Sequence, residues 1–287
     1  MAKMAKLGLQ TCNVQNNMRK DPIHTFREIA AAGYRYVEVS NFDTVHDKGA
    51  GFHMPASELN KFLDDIGVKI VSIMFDPFDD LDEMCEYQCE IGNHNVVFSR
   101  DYYQNREDVL RRAEWLNETG KICAKHGISF HYHNHFHEFM TLPGEEKTIW
   151  QMLMENTDPE LVKVEVDTFW VMRGGVDPAE LIRSLGRRIT MIHQKDYAKG
   201  HGHEIYLPAR VIPGEEMCRP VYDRIENKDT FCEIGWGIMD IQKIIDAGNE
   251  SGVLEYFILE QDWTKLDEFE SIRMSYEGMK QFHGIEM

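Results

Sequence analysis

The sequence predicts an α/β protein folded as a closed (β/α)8 barrel, and three observations carry that prediction. Short β-branched runs alternate with amphipathic runs along the whole chain, which calls for parallel strands joined by helical crossovers. Eight such units fit within 287 residues, more strands than an open doubly wound sheet usually needs and an ordinary length for one barrel. The first strand-to-helix junction lacks the GxGxxG fingerprint of a dinucleotide-binding sheet. No Pro/Ser-rich linker or composition break divides the chain, so residues 1–287 are expected to form one domain.

Leu7 to Cys12 reads as the first strand. Asp21 caps the next helix with Pro22 in its first turn, Phe26, Ile29 and Ala30 recur at helical spacing, and Gly33 supplies the left-handed stop. Tyr34 to Ser40 is the second strand. A helix from Ser57 to Ile66 stops at Gly67, and Lys69 to Asp76 is the third strand. Leu81 to Ile91, closed by Gly92, precedes the fourth strand, Asn95 to Arg100. The helix after Asn105 places Val109, Ala113, Leu116 and Cys123 on one stripe before Gly127, and Ile128 to Asn134 is strand five. Strand six, Val162 to Phe169, precedes a helix with a capping box of Asp177 and Glu180. Strand seven is Ile189 to Tyr197. The stretch from Ala198 to Asp229 holds few periodic apolar residues and reads as a loop over a site. A helix from near Asp240, strand eight from Leu254 to Glu260 and a last helix from about Lys265 to His283 complete the pattern.

Hydrophobic residues at 43% and aromatic residues at 11% suffice to fill a barrel and the layer beneath its helices. A formal charge of −18 repels polyphosphates and argues against a nucleic-acid partner. A neutral carbohydrate feels no such penalty. The six cysteines form no CxxC pair and are expected to be reduced, mostly packed thiols. Met1 to Leu7 carries no secretory apolar run and no later stretch approaches a membrane span, so no membrane association and a cytoplasmic location are expected.

Working residues of such barrels sit at the C-terminal ends of the strands. Strand five ends in His131-Tyr-His-Asn-His-Phe-His137-Glu138, where alternation puts His131, His133, His135 and, if the strand persists that far, His137 on one face; His131 and His137 read as structural or exposed rather than functional. Asp167 ends an apolar strand, where an unpaired buried carboxylate would cost several kcal/mol unless a metal or a lysine relieved it. His193 follows Thr-Met-Ile and Glu260 follows Phe-Ile-Leu in the same manner. Three carboxylates and an imidazole would make a hard site suited to Mn²⁺ first, with Mg²⁺, Co²⁺ or Zn²⁺ as alternatives.

These segments, YHNHFHEF at 132–139, VDTFW at 166–170, IHQKD at 192–196, EIGWGIMD at 233–240 and LEQD at 259–262, resemble the xylose isomerase-like TIM barrel family of sugar phosphate isomerases and epimerases. That family also contains ketose 3-epimerases, inosose dehydratases and endonuclease-IV-like enzymes, and the resemblance spans nearly the whole chain. Its Glu, Asp, His, Glu ligand set implies Asp167, His193 and Glu260 here. For the first ligand, many relatives place a Glu where this chain has His133, so Glu138 is expected as the ligand with His133 or His135 beside it, a histidine ligand being the alternative. Trp170 stands where ketose 3-epimerases commonly carry a substrate-binding His.

The implied chemistry is proton abstraction beside a carbonyl through a metal-stabilised enediolate, with Glu138, Glu260, His133 and His135 as acid-base candidates. Lys195 would polarise a carbonyl, or else form an ion pair with Asp196 or another acid. Trp170 and Phe169 offer an apolar wall. Isomerisation or epimerisation of a carbohydrate is the first expectation. A lyase or dehydratase acting on a keto-sugar, keto-inositol or 3-keto-glycoside is the alternative. A non-catalytic sugar-binding subunit and an endonuclease-IV-like repair enzyme stand behind these, the latter opposed by the charge. Substrate identity is expected in the loops after strands one to three, including 41–43 and 76–78, and the acidic surface and tryptophans would permit a homo-oligomer.

Overall fold

The computed structural model describes residues 4–40, 47, 49–75 and 81–287, so the loop segments 41–43 and 76–78 lie outside the described residues. Eight parallel strands close on themselves: β1 (Ala5–Gln10), β2 (Tyr36–Ser40), β3 (Lys69–Phe75), β4 (Asn95–Phe98), β5 (Ser129–His133), β6 (Val162–Asp167), β7 (Ile189–Gln194) and β8 (Tyr256–Leu259). Each strand pairs with its successor, and β8 returns to β1 in register from Lys6 opposite Tyr256 to Leu9 opposite Leu259. Closure leaves no free barrel edge, and parallel pairing throughout puts every strand's C-terminal end at one mouth. The register slips at two places, Val37/Glu38 and Val164/Glu165.

Local sequence explains the elements around the barrel. The helix Pro22–Ala32 starts where the Asp21 side chain accepts from the His24 N–H and stops at Gly33, whose φ of 112° is left-handed. A Cβ at Gly33 would meet the Tyr276 ring at 2.5 Å, so both backbone and packing require glycine. Asn105 caps Arg106–Lys125 by accepting from the Asp108 N–H. Asp177 accepts from the N–H groups of Ala179 and Glu180, while the Glu180 carboxylate accepts from Arg183 instead of closing a capping box. A true capping box, Thr148 with Gln151, starts Ile149–Asn156, a helix not expected from the sequence.

Two expectations change. Strand six ends at Asp167, because its carboxylate accepts from the Trp170 N–H and turns 168–173 into a helix. The stretch 198–229 is packed rather than open: Leu207, Met217, Val221, Tyr222 and Ile225 join Phe136, Phe169, Trp170, Tyr197 and Phe231 in a second apolar cluster above the barrel. The helix Arg219–Ile225 within it supplies Arg219 to the mouth and packs Tyr222 against His135 and Trp170. All six cysteines are free, with Cys85 and Cys123 buried. Among the described residues no helix is long and apolar enough to cross a membrane.

Candidate metal centre

Strands β5 to β8 deliver His133, Asp167, His193 and Glu260 to one spot, with donor atoms all within 4.8 Å of one another. All four residues are buried. His133 Nε2 lies 3.9 Å from Asp167 Oδ2, and His193 Nδ1 lies 2.8 Å from Glu260 Oε2. Two carboxylate oxygens and two imidazole nitrogens this close are a donor set that fits a divalent ion, shifted from the expected hard oxygen site that favoured Mn²⁺ toward borderline ions such as Co²⁺ and Zn²⁺.

Glu138 does not join the cluster. The chain turns after His133, so the Glu138 carboxylate folds back to accept from the Tyr132 hydroxyl at 2.8 Å and the His135 N–H at 3.0 Å. His133, nearer the strand end, takes the place expected for it. His135 lies to one side, with Arg100 on its Nε2 and the Trp170 ring stacked 5.9 Å away. His131 is buried between the Val96 carbonyl and the Thr190 hydroxyl, and His137 Nε2 bonds the Asp101 carbonyl.

Lys195 is fully buried, and its ammonium bridges the Asp167 and Glu260 carboxylates with Asp262 at 3.8 Å. Burial of an isolated ammonium costs several kcal/mol, so these acids are what make its position tenable. Asp196, the other expected partner, instead accepts N–H bonds from Gly235, Gly237 and Met239 and ties down the 235–239 turn. Burial raises the Asp167 carboxyl to about 6 despite Lys195. Burial acts on Glu260 too, but Lys195, His193 and His133 together hold it well below the carboxylate range. Burial pushes Lys195 down, yet Asp167, Asp262 and Glu260 keep it charged.

The cluster opens into a cavity of about 340 Å³ lined by Cys12, Arg100, His133, His135, Trp170 and Asp262, among others. A larger cavity of about 550 Å³ opens at the opposite end, beside Lys6, Tyr36, His94 and Tyr256, and holds none of the donor clusters found among the described residues. Size therefore does not mark the site; convergent chemistry does.

Sequence reasoning did not single out Arg100, Cys12, Glu38 or Glu165, and named Asp262 only within a motif. Glu38 and Glu165 are fully buried beneath the cluster. Their signal was present: each is a carboxylate between valines in a strand, in Val-Glu-Val. The Cys12 thiol donates to Glu260 at 3.3 Å.

Residues 26–281 match the family described as xylose isomerase-like TIM barrel. An inosose dehydratase of Mesomycoplasma hyopneumoniae strain J is 29% identical over 199 residues, 62% of this chain and 63% of that protein. The inosose dehydratase of Halalkalibacterium halodurans is 29% identical, covering 60% and 61%. The chain thus spans less than two thirds of the length of these curated relatives. A sugar phosphate isomerase/epimerase structure from Parabacteroides distasonis superposes with a TM-score of 0.73 at 24% identity over 97% of this chain and 94% of its own. The IolI protein, solved with a zinc atom bound, gives 0.68 at 14% identity over 96% and 97%. At these identities the two structures speak for the fold alone.

Proposed function

The chain belongs to the xylose isomerase-like TIM barrel family, and on that premise we propose that it acts, as one barrel domain, as a divalent-metal-dependent lyase that removes water from a keto-inositol or related keto-sugar by β-elimination. The curated relatives, inosose dehydratases, support elimination over the isomerase or epimerase reading that the sequence suggested first.

One structural observation carries the proposal: a buried ammonium, Lys195, and a carboxylate oxygen without a hydrogen-bond partner, Asp262 Oδ2, meet beside the four-donor cluster in one cavity. Elimination needs a base for the C–H beside the carbonyl and an acid for the departing hydroxyl. Epimerisation needs no acid at a leaving oxygen. A divalent ion held by His133, Asp167, His193 and Glu260 would supply Lewis acidity at the carbonyl oxygen. Asp262 accepts the proton from carbon; burial and Glu260 raise its carboxyl above the usual range, which makes it a stronger base. The C–H electron pair becomes the new C=C bond, and the β-hydroxyl leaves with a proton from Lys195 as water. Trp170, buried against His135, forms a dry wall to the cavity.

The test is to incubate manganese-loaded protein in D₂O with an inosose and with 3-keto-glucosides, following enone absorbance and product mass. Enone formation of the order of turnover, lost in Lys195→Met, is expected. Deuterated epimer without enone would establish epimerisation instead, and neither exchange nor enone with any of these ketones would overturn the lyase proposal.

A further inference from the structure

We propose that Glu165 and Glu38 are positioning residues that fix which ring nitrogen of His133 and of His193 faces the four-donor cluster. The proposal takes its purpose from the metal reading above, but its geometry stands without it.

A neutral imidazole has one N–H and one lone pair, and the hydrogen bond at one nitrogen decides which atom is left to act as ligand. His133 Nδ1 lies 2.9 Å from Glu165 Oε2, and because a carboxylate accepts, the proposal places the ring proton on Nδ1. That leaves Nε2 on the side of Asp167. His193 Nε2 lies 2.7 Å from Glu38 Oε1, with Glu165 Oε1 at 3.1 Å. Its Nδ1 lies 2.8 Å from Glu260 Oε2, on the side of the cluster, so an ion that takes that nitrogen leaves the ring proton on Nε2 toward Glu38. Two histidines thus present chemically different nitrogens to the same point: at His133 the choice follows from Glu165 behind the ring, and at His193 Glu38 and Glu165 hold the proton when an ion takes Nδ1 from Glu260.

Two further observations separate these acids from ordinary buried partners. Both strands slip register at the acid itself, between Val37 and Glu38 and between Val164 and Glu165, and such irregularities re-aim side chains near functional sites. Neither acid lines the cavity, so neither touches a substrate there. Gln10 Nε2 donates to Glu38 Oε1 at 3.2 Å and holds it under His193.

Long-range ¹H–¹⁵N spectra of the histidine rings report the tautomers directly. They would be recorded for the full chain with and without zinc, together with zinc affinity by calorimetry. In the zinc-loaded wild type, His133 is expected as the Nδ1–H form and His193 as the Nε2–H form. Glu165→Leu should scramble His133 while Glu38 keeps the His193 form, Glu38→Leu combined with Glu165→Leu should scramble both rings, and each loss should weaken zinc about 10- to 100-fold. Glu165→Gln, which keeps an acceptor oxygen, should restore the His133 form with a smaller loss of affinity. The proposal is overturned if the wild type shows the opposite nitrogens protonated, a result that needs no variant to fold. It is equally overturned if the leucine variants leave both tautomers unchanged. A wild type that binds no zinc refutes the metal reading alone. The Nδ1–H form of His133 in the metal-free spectrum then upholds the positioning proposal, and its absence overturns it.

Discussion

Arg100 donates two hydrogen bonds to a single atom, Nε2 of His135, from Nε at 3.1 Å and from Nη2 at 2.7 Å. A guanidinium cannot accept a hydrogen bond, so Nε2 must carry its lone pair toward Arg100 and the ring is neutral. Burial and the Arg100 charge both hold His135 well below its ordinary value. The histidine that the sequence offered as an acid-base candidate is thereby engaged with its neighbour. His135→Gln should keep deuterium exchange into substrate within about 10-fold, whereas Asp262→Asn should lose about 100-fold or more. Mass spectrometry of the recovered ketone decides, and the reverse ranking would move the base to His135.

Metal stoichiometry should separate Glu138 from the cluster. Asp167→Asn and Glu260→Gln are expected to lose bound metal, measured by elemental analysis of the folded proteins. Glu138→Gln should retain it but unfold more easily, by about 1–3 kcal/mol, because an amide nitrogen would face either the Tyr132 hydroxyl or the His135 N–H that the carboxylate now serves. Metal lost from a well-folded Glu138→Gln would return Glu138 to the ligand set.

Asp196 is expected to matter for stability rather than for chemistry. Its carboxylate accepts from four backbone N–H groups, Tyr197, Gly235, Gly237 and Met239, at 2.8 to 3.2 Å. Asp196→Ala should cost about 3 kcal/mol in urea unfolding, since charged acceptors contribute more than neutral ones. Gly237→Ala should damage the same turn, as its Cβ would fall 2.1 Å from Asp196 Oδ1 and 2.5 Å from the Tyr197 carbonyl oxygen. Unfolding curves that match wild type for both would refute this account of the turn.

Acid should weaken the barrel through His131, whose burial lowers it to about 4 from an ordinary 6.5. The native state holds this ring neutral, so between those values the unfolded chain binds the extra proton. Its contribution is therefore complete above pH 6.5 and is lost as pH falls toward 4. By pH 5 the loss should be about 2 kcal/mol. Wild type should lose about that much more than His131→Gln between pH 7 and 5 in parallel urea titrations. Equal losses would mean that His131 is not held neutral.

Elimination chemistry predicts a distinct role for the ammonium. Lys195→Arg keeps the charge but replaces a compact donor with a planar fork in a fully buried space. Enone formation should fall by about 100-fold while deuterium exchange survives, since exchange needs only the base. Loss of both to the same degree would show Lys195 serving the carbonyl rather than the leaving group.

The sequence by itself determined the barrel, because period-two apolar runs, capping residues such as Asp21 and left-handed stops such as Gly33 act over a few residues and are written locally. It also named Asp167, His193 and Glu260, since a carboxylate or imidazole ending an apolar strand stands out wherever the strand lies. Only the tertiary structure decided the rest. His133 rather than Glu138 faces those three because the chain turns directly after β5 and sends Glu138 back to Tyr132. Glu38 is 155 residues from His193, and Arg100 is 35 from His135. Contacts of that separation depend on closure, twist and the two register slips, which no local pattern encodes. The stretch 198–229 read as a loop for the same reason: its apolar residues follow no period, and their partners, Phe169 and Trp170 among them, come from another part of the chain.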